Sequence, residues 1–160
     1  MRKNEAYSVE ITGLTAEGAG VARIDGQVVF VPGVIPGERC EIRIDHVGRT
    51  CAYGSLVRVE KPSEHRVTPE CESFGHCGGC VFWHMDYACE LEQKRQRVQD
   101  ALLRIGGVHF PDLQITGSQS IYGYRNKVQF PVQVQNGKAV AGFYKAGSHT
   151  VIPITDCKIQ

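Results

Sequence analysis

Alternating hydrophobic and polar residues through the first sixty or so positions predict a series of short β-strands. In one of them Ile42 and Ile44 would face a core, and in a later one Val57 and Val59 would do so. Asp25-Gly26, between two such runs, is typical of a two-residue hairpin turn. The expected strands cover residues 8–14, 21–24, 27–31, 40–45 and 53–59. Five short strands in this space favour an OB-like barrel.

The pattern changes after a turn-rich connector at residues 61–69. Asp86 is a good N-cap, and the apolar residues after it recur at helical spacing until Gly106-Gly107. This apolar stripe consists of Tyr87, Leu91, Val98, Leu102 and Ile105. Further strands are expected at residues 125–134, 139–144 and 150–154, with a hairpin turn at Asn136-Gly137. The pattern therefore predicts a mostly β chain with one long helix.

Composition adds little to this picture, because 42% hydrophobic and 22% charged residues are ordinary for a globular protein. The net charge is only +1, which argues against a general polyanion-binding protein. Any affinity for nucleic acid must come from local patches. OB-like barrels bind single strands through exposed aromatic and basic side chains. The candidates are Tyr7, Arg23, Phe30, Arg39, Arg43 and Arg49, although core aromatics and merely solvated arginines explain each one equally well.

A cluster of thiols is the most specific chemical signal in the chain. Three cysteines in Cys71-Glu-Ser-Phe-Gly-His-Cys77-Gly-Gly-Cys80 have the spacing C-x5-C-x2-C, and Cys157 lies beyond the last expected strand. Gly78 and Gly79 leave the backbone free to turn its N–H groups toward sulfur. Four thiolates are the ligand set of an iron–sulfur cluster or a structural zinc ion. The sequence therefore predicts a metal site at Cys71, Cys77, Cys80 and Cys157.

The spacing of the ligands favours a cluster over zinc. Structural zinc sites usually take ligands as two close pairs, whereas here a triplet is joined by one distant cysteine. A zinc site in which His65, His76 or His84 replaces a cysteine remains open, as does a chain without metal.

The other cysteines receive a structural interpretation. Cys40 and Cys51 lie on expected strands and Cys89 on the expected helix, so we interpret all three as small buried hydrophobes. An odd total of seven cysteines argues against a secreted disulfide protein. The absence of a signal peptide and of a membrane-spanning apolar run leads us to expect a cytoplasmic protein with no membrane contact.

The order of these features resembles the N-terminal portion of bacterial RNA uracil-C5 methyltransferases, most of all the branch that acts on ribosomal RNA. The resemblance covers essentially the whole chain. It is carried by the barrel, C-x5-C-G-G-C, Trp83-His-Met-Asp-Tyr87-x3-Leu91-x2-Lys94, Tyr124-Arg125-Asn126-Lys127 and Asp156-Cys157. Glu90, where the family is expected to place Gln, is a small departure.

The resemblance implies two parts. Residues 1–62 would form an RNA-binding barrel called a TRAM domain, and residues 63–160 a cluster segment, the helix and an incomplete central β domain. The four cysteines would hold a [4Fe–4S] cluster. Arg125, Asn126 and Lys127 match a basic segment that faces the substrate, and on the barrel Arg23, Phe30 and Arg49 would contact RNA.

The resemblance also implies a catalytic domain that has no counterpart in this sequence. Family members bind S-adenosyl-L-methionine in a Rossmann-like domain with a nucleophilic cysteine and a carboxylate base, and residues 1–160 offer no candidate for any of these. We therefore expect no catalytic residue here, no activity from this chain alone, a monomeric state, and RNA, specifically 23S rRNA, as partner. A zinc-stabilised RNA-binding module and a free-standing iron–sulfur electron carrier are the alternatives.

Overall fold

The computed structural model describes residues 1–160 and is mostly β with one helix, as the sequence predicts. Its elements are β1 (Ala6–Glu10), β2 (Gly13–Leu14), β3 (Ala19–Ile24), β4 (Gln27–Pro32), β5 (Arg39–Val47), β6 (Cys51–Lys61), α1 (Tyr87–Arg104), β7 (Val132–Gln135), β8 (Lys138–Tyr144) and β9 (Val151–Pro153). No helix is long and apolar enough to cross a membrane.

The first six strands form one curled sheet in the order β1-β5-β6-β4-β3-β2. The expected first strand is divided into β1 and β2, which lie at opposite edges of the sheet although only two residues separate them. At this break the Ile11 N–H donates to the Glu38 carbonyl at 2.9 Å and the Thr12 N–H donates to the Val21 carbonyl at 2.8 Å. The sheet therefore bends round at Ile11 and Thr12, as in a half-open barrel.

The core of the barrel comes from the alternation read in the sequence. Cys40, Ile42 and Ile44 on β5 are fully buried, and residues on the neighbouring strands complete the cluster. Asp25 and Gly26 have φ of 50° and 80°, which is the left-handed conformation that a tight hairpin requires. The expected hairpin between β3 and β4 is therefore confirmed.

The expected inward orientation of Val57 is wrong. Ile42 pairs with Leu56 and Glu41 pairs with Arg58, so Val57 is the extra residue of a β-bulge in β6. Its side chain is 52% exposed, while Leu56 and Val59 pack against the core. The bulge shifts the alternation by one residue, which the sequence pattern alone did not reveal.

Helix α1 begins and ends where its capping residues predict. The Asp86 side chain accepts a hydrogen bond from the Cys89 N–H at 2.7 Å, and Gly107 follows the last turn with φ of 65°. The apolar stripe, in contrast, is covered unevenly: Tyr87, Leu91 and Leu102 are half-buried, whereas Val98 is 49% and Ile105 87% exposed. Cys89 is the buried residue of the helix.

The chain divides into two compact units, and each is built from two stretches of sequence. The barrel unit contains Met1–Thr68 and His84–Leu113, so it includes α1. The second unit contains Pro69–Trp83 and Gln114–Gln160. The cysteine triplet and Cys157 thus lie in the same unit, although about eighty residues separate them in sequence.

Within the barrel unit, a buried ion pair fixes the end of β5 to the connector. Glu38 is fully buried, and its carboxylate accepts hydrogen bonds from Arg66 Nε at 2.5 Å and from Arg66 Nη2 at 2.7 Å. The Ile35 and Ser63 N–H groups donate to the same carboxylate at 2.9 and 3.2 Å. Every lone pair is therefore used, which is the condition under which a buried charge is tolerated.

The second unit contains the three-stranded sheet β7-β8-β9. Asn136 and Gly137, with φ of 51° and 76°, form the expected turn between β7 and β8. The strand expected from residue 125 starts only at Val132. The reason is that this stretch has another partner: the Gly123 and Arg125 N–H groups donate to the carbonyls of Lys158 and Ile159 at 2.9 and 3.0 Å.

Candidate metal centre

The cysteine triplet is held in a tight turn that is attached to the end of β8. The Cys77 N–H donates to the Ser73 carbonyl at 2.8 Å, which closes the loop after Cys71. The next residue, Gly78, donates its N–H to the Tyr144 carbonyl at 2.9 Å. The sheet of the second unit therefore positions Cys77 and its neighbours.

The two glycines of the triplet differ in how closely other atoms approach them. A Cβ at Gly78 would lie 3.0 Å from the Tyr144 carbonyl oxygen and 3.1 Å from backbone atoms of Ala146, so a side chain at this position would require backbone to move by a few tenths of an ångström. At Gly79 a Cβ would meet only Cys77 Sγ, at 3.4 Å. The Gly79 N–H donates to that sulfur at 3.3 Å. Such a bond stabilises negative charge on the sulfur of Cys77.

Cys157 reaches the same place from the C-terminal side of β9. Its segment is paired through backbone hydrogen bonds with residues 123–125, as described above. Close by, the Tyr122 hydroxyl donates to Glu70 at 2.9 Å, and the Tyr122 ring packs against Trp83 with 5.8 Å between centroids. These contacts join both ends of the cysteine triplet to the segment that pairs with residues 158–159, next to Cys157.

All four cysteines line one cavity of the second unit, together with Arg125. The accessible lining is almost wholly apolar. Its other walls include Phe74, Phe143, Ile154 and Ile159. Apolar walls around four thiols would limit the access of water to a metal group bound there.

The pKa of the Cys80 thiol depends on the other three cysteines. Burial raises the pKa of the Cys80 thiol, negative charge on Cys77, Cys157 and Cys71 raises it further, and Arg125 lowers it. Without a bound cation the Cys80 thiol would therefore resist ionising. A metal group would supply the positive charge that holds all four as thiolates.

Four thiols at one cavity match the ligand set of an iron–sulfur cluster in number and chemistry. The structure has no group of three or more His, Cys, Asp or Glu side chains arranged to hold a metal ion. Tetrahedral zinc, with Zn–S bonds of about 2.3 Å, needs sulfurs only about 4 Å apart. A [4Fe–4S] cluster presents a separate iron to each thiolate, so its ligands surround a cavity.

None of the three histidines considered as alternative ligands lines the cavity. His65 and His84 belong to the barrel unit, where His65 Nδ1 lies 2.8 Å from Asp86 and His84 Nε2 lies 3.1 Å from the Val34 carbonyl. His76 is exposed within the triplet loop. Of the remaining cysteines, Cys40 and Cys89 are buried as expected, and Cys51 is half-buried.

The six residues proposed for RNA are distributed over both units. Arg23 and Arg49 are exposed on the barrel and Phe30 is half-buried there, with its ring 5.7 Å from Tyr53. Asn126 and Lys127 are exposed in the second unit. Arg125 is exposed as well, but it also lines the cysteine cavity, which the sequence did not indicate.

Tyr53 was missed by the sequence analysis, although its side chain is 52% exposed on β6. Its ring lies between Phe30 and His46, with 6.4 Å between the Tyr53 and His46 centroids. The alternation of β6, in which Ala52 and Gly54 are buried, was the signal that places Tyr53 outward.

Comparison with known proteins agrees with this architecture. The family model described as TRAM domain matches residues 2–57. Proteins named uncharacterized RNA methyltransferase match the chain at 41% identity over 160 residues in Clostridium tetani and at 40% over 156 residues in Caldanaerobacter subterraneus. The matches cover 100% and 98% of this chain but 35% and 34% of those proteins. The chain thus spans about a third of the length of the curated relatives it matches.

A solved structure shows the same fold. The tRNA (uracil-54, C5)-methyltransferase of Pyrococcus abyssi, in complex with S-adenosyl-L-homocysteine, superimposes with a TM-score of 0.62 at 23% identity. The match covers 94% of this chain and 32% of that protein. Together with the relatives, it confirms the resemblance to the N-terminal portion of RNA methyltransferases.

Proposed function

We propose that this chain, which carries a TRAM domain and fits the N-terminal portion of an RNA methyltransferase, binds RNA and holds a [4Fe–4S] cluster on Cys71, Cys77, Cys80 and Cys157. In the complete protein the reaction would be S-adenosyl-L-methionine-dependent methylation of uridine C5, with ribosomal RNA, specifically 23S rRNA, as substrate. Cytoplasmic location and a monomeric state belong to the same proposal, and reduced thiols are stable in that compartment.

The observation that carries the proposal is the cavity that four cysteines from two distant stretches of sequence line together. A bound cluster would tie those stretches to each other, and its binding energy would stabilise the fold of the second unit. The residues of the chain supply the rest. Gly79 donates its N–H to the Cys77 sulfur, and the apolar walls limit access of water.

RNA binding would use side chains in both units. Arg23, Phe30 and Arg49 would act on the barrel, and Arg125, Asn126 and Lys127 in the second unit. Guanidinium and ammonium groups bind phosphate, and an aromatic face can stack on an unpaired base. The exposure of the basic residues and the pairing of Phe30 with Tyr53 support this assignment.

Metal analysis of protein purified without oxygen tests the cluster. We expect about four iron and four sulfide per chain, broad visible absorption and little zinc, since four thiolates hold one such cluster. Cys157→Ser should lower the iron content and the melting temperature. Cys51→Ser is the matched control, because Cys51 is half-buried and lies in the barrel unit, and it should keep its iron.

Three results would contradict the proposal. Stoichiometric zinc in place of iron would favour the zinc-stabilised RNA-binding module. Full iron content in Cys157→Ser would remove Cys157 from the ligand set. A cluster-bearing protein with no affinity for RNA would favour an electron carrier.

A further inference from the structure

Arg125 is a cation at the wall of the cysteine cavity with no anionic protein partner. The residue is one of those that line the cavity beside the four cysteines, its side chain is also exposed to solvent, and no ion pair of the structure includes it. The one carboxylate of the lining, Asp156, lies 2.5 Å from Lys158 Nζ and is therefore already neutralised by another residue.

Backbone and aromatic contacts hold Arg125 in this place. Its N–H donates to the Ile159 carbonyl at 3.0 Å, and Ile159 is itself buried in the cavity wall two residues after Cys157. The guanidinium carbon lies 6.0 Å from the centroid of the Tyr124 ring, at the outer limit of a cation–π contact. The position of Arg125 is thus coupled to that of a proposed cluster ligand.

An iron–sulfur cluster with four thiolates is anionic overall. Net charge near a cluster is one of the factors that set its reduction potential, and charges act strongly across an apolar, partly dry cavity.

We propose that Arg125 is the electrostatic partner of the metal group: its guanidinium stabilises the negative charge of the four-thiolate cluster and so raises its reduction potential and its resistance to loss of iron. This role rests on the proposed function, because it presupposes the cluster. It gives Arg125 a task that its basic neighbour Lys127 does not share, since both residues are exposed but Lys127 does not line the cavity.

The test compares charge-removing and charge-keeping variants of the 160-residue chain with its cluster bound. Arg125→Gln and Arg125→Met both remove the charge and keep a side chain of similar length. If one of them fails to fold, the other still provides the test. Arg125→Lys keeps the charge, and Lys127→Ala removes a nearby charge outside the cavity. Circular dichroism checks folding. The readouts are the rate of iron transfer to a chelator and the midpoint potential in a dithionite titration, in which the cluster accepts one electron.

We expect the neutral variants to lose iron several-fold faster and to be reduced less readily. A tenfold change in the ratio of oxidised to reduced protein corresponds to about 59 mV for one electron. Arg125→Lys and Lys127→Ala should keep the wild-type rate of iron loss and the wild-type midpoint potential. Folded neutral variants with the wild-type rate of iron loss would overturn the inference, and so would Lys127→Ala matching their defect. A wild-type chain that binds no iron and sulfide would instead refute the proposed function itself.

Discussion

At the residue scale, the charge of Glu38 contributes to the stability of the barrel unit, because its fully buried carboxylate pairs with Arg66. We expect Glu38→Gln to lower the free energy of unfolding by up to about 3 kcal/mol, since it removes the charged partner of Arg66, whose side chain is only 23% exposed. Chemical denaturation at neutral pH measures this. The Glu41→Gln variant is the control: its exposed partner Arg58 can be solvated, so the loss should stay below about 1 kcal/mol.

The same residue should make the barrel sensitive to acid. Burial raises the pKa of Glu38, but the hydrogen bonds from Arg66, Ile35 and Ser63 outweigh burial and lower the pKa below its usual value. A carboxyl whose pKa is lower in the folded state contributes stability above its unfolded pKa and loses it as pH falls through the folded value. The melting temperature of the wild type should therefore fall more steeply than that of Glu38→Gln on acidification below about pH 4.5. Parallel curves would contradict this.

At the scale of elements, the attachment of the cysteine loop to β8 decides whether the ligands meet. Gly78→Ala would place a Cβ against the Tyr144 carbonyl and the Ala146 backbone, neither of which is a flexible side-chain end. We expect about 1–3 kcal/mol of destabilisation and a reduced iron content. Thermal melting and iron analysis measure the two effects.

The adjacent glycine supplies the control for this prediction. At Gly79 an added Cβ meets only the Cys77 sulfur, at 3.4 Å, and its φ is not in the left-handed region. Gly79→Ala should therefore fold and keep more iron than Gly78→Ala. Equal loss in both variants would mean that the loop tolerates no side chain for reasons other than the contact with β8.

For the whole molecule, RNA binding should depend on salt in the manner of local phosphate contacts, because the net charge is only +1. Lys127→Ala should reduce the slope of log affinity against log salt by about one charge. Lys138, exposed at the hairpin turn of the same unit, provides a control for loss of any surface lysine. If both variants changed the slope equally, binding would reflect general charge and not the Arg125–Lys127 segment.

The 160-residue chain alone should neither bind S-adenosyl-L-methionine nor transfer a methyl group. Methylation of uracil C5 needs a nucleophile, a base and a site that holds the methyl donor in position. The cysteines outside the cavity are poor candidates for the nucleophile, because they are buried or half-buried within the barrel unit. Isothermal titration with the methyl donor and a tritiated-methyl assay on unmodified ribosomal RNA measure the two properties. Heat of binding or turnover would reveal a site that the sequence and fold did not indicate.

Local structure in this protein follows from short stretches of its sequence. Alternation sets which side chains of β5 enter the core, Asp25-Gly26 and Asn136-Gly137 form the hairpin turns, and Asp86 with Gly107 limits α1. These features depend on a few neighbouring residues and their allowed backbone angles, so they can be read in one dimension. The spacing of the cysteines likewise indicates the four candidate ligands without knowledge of the fold.

Features that depend on distant partners required the tertiary structure. The bulge at Val57 follows from pairing with β5, and the late start of β7 follows from hydrogen bonds of residues 123–125 to Lys158 and Ile159. The same long-range pairing places Arg125 in the wall of the cysteine cavity, and each of the two units is built from two stretches of sequence. A local pattern carries no information on which remote strand will accept a backbone N–H. The environment of the candidate metal centre is therefore a property of the folded chain, whereas the identity of its candidate ligands is written in the sequence.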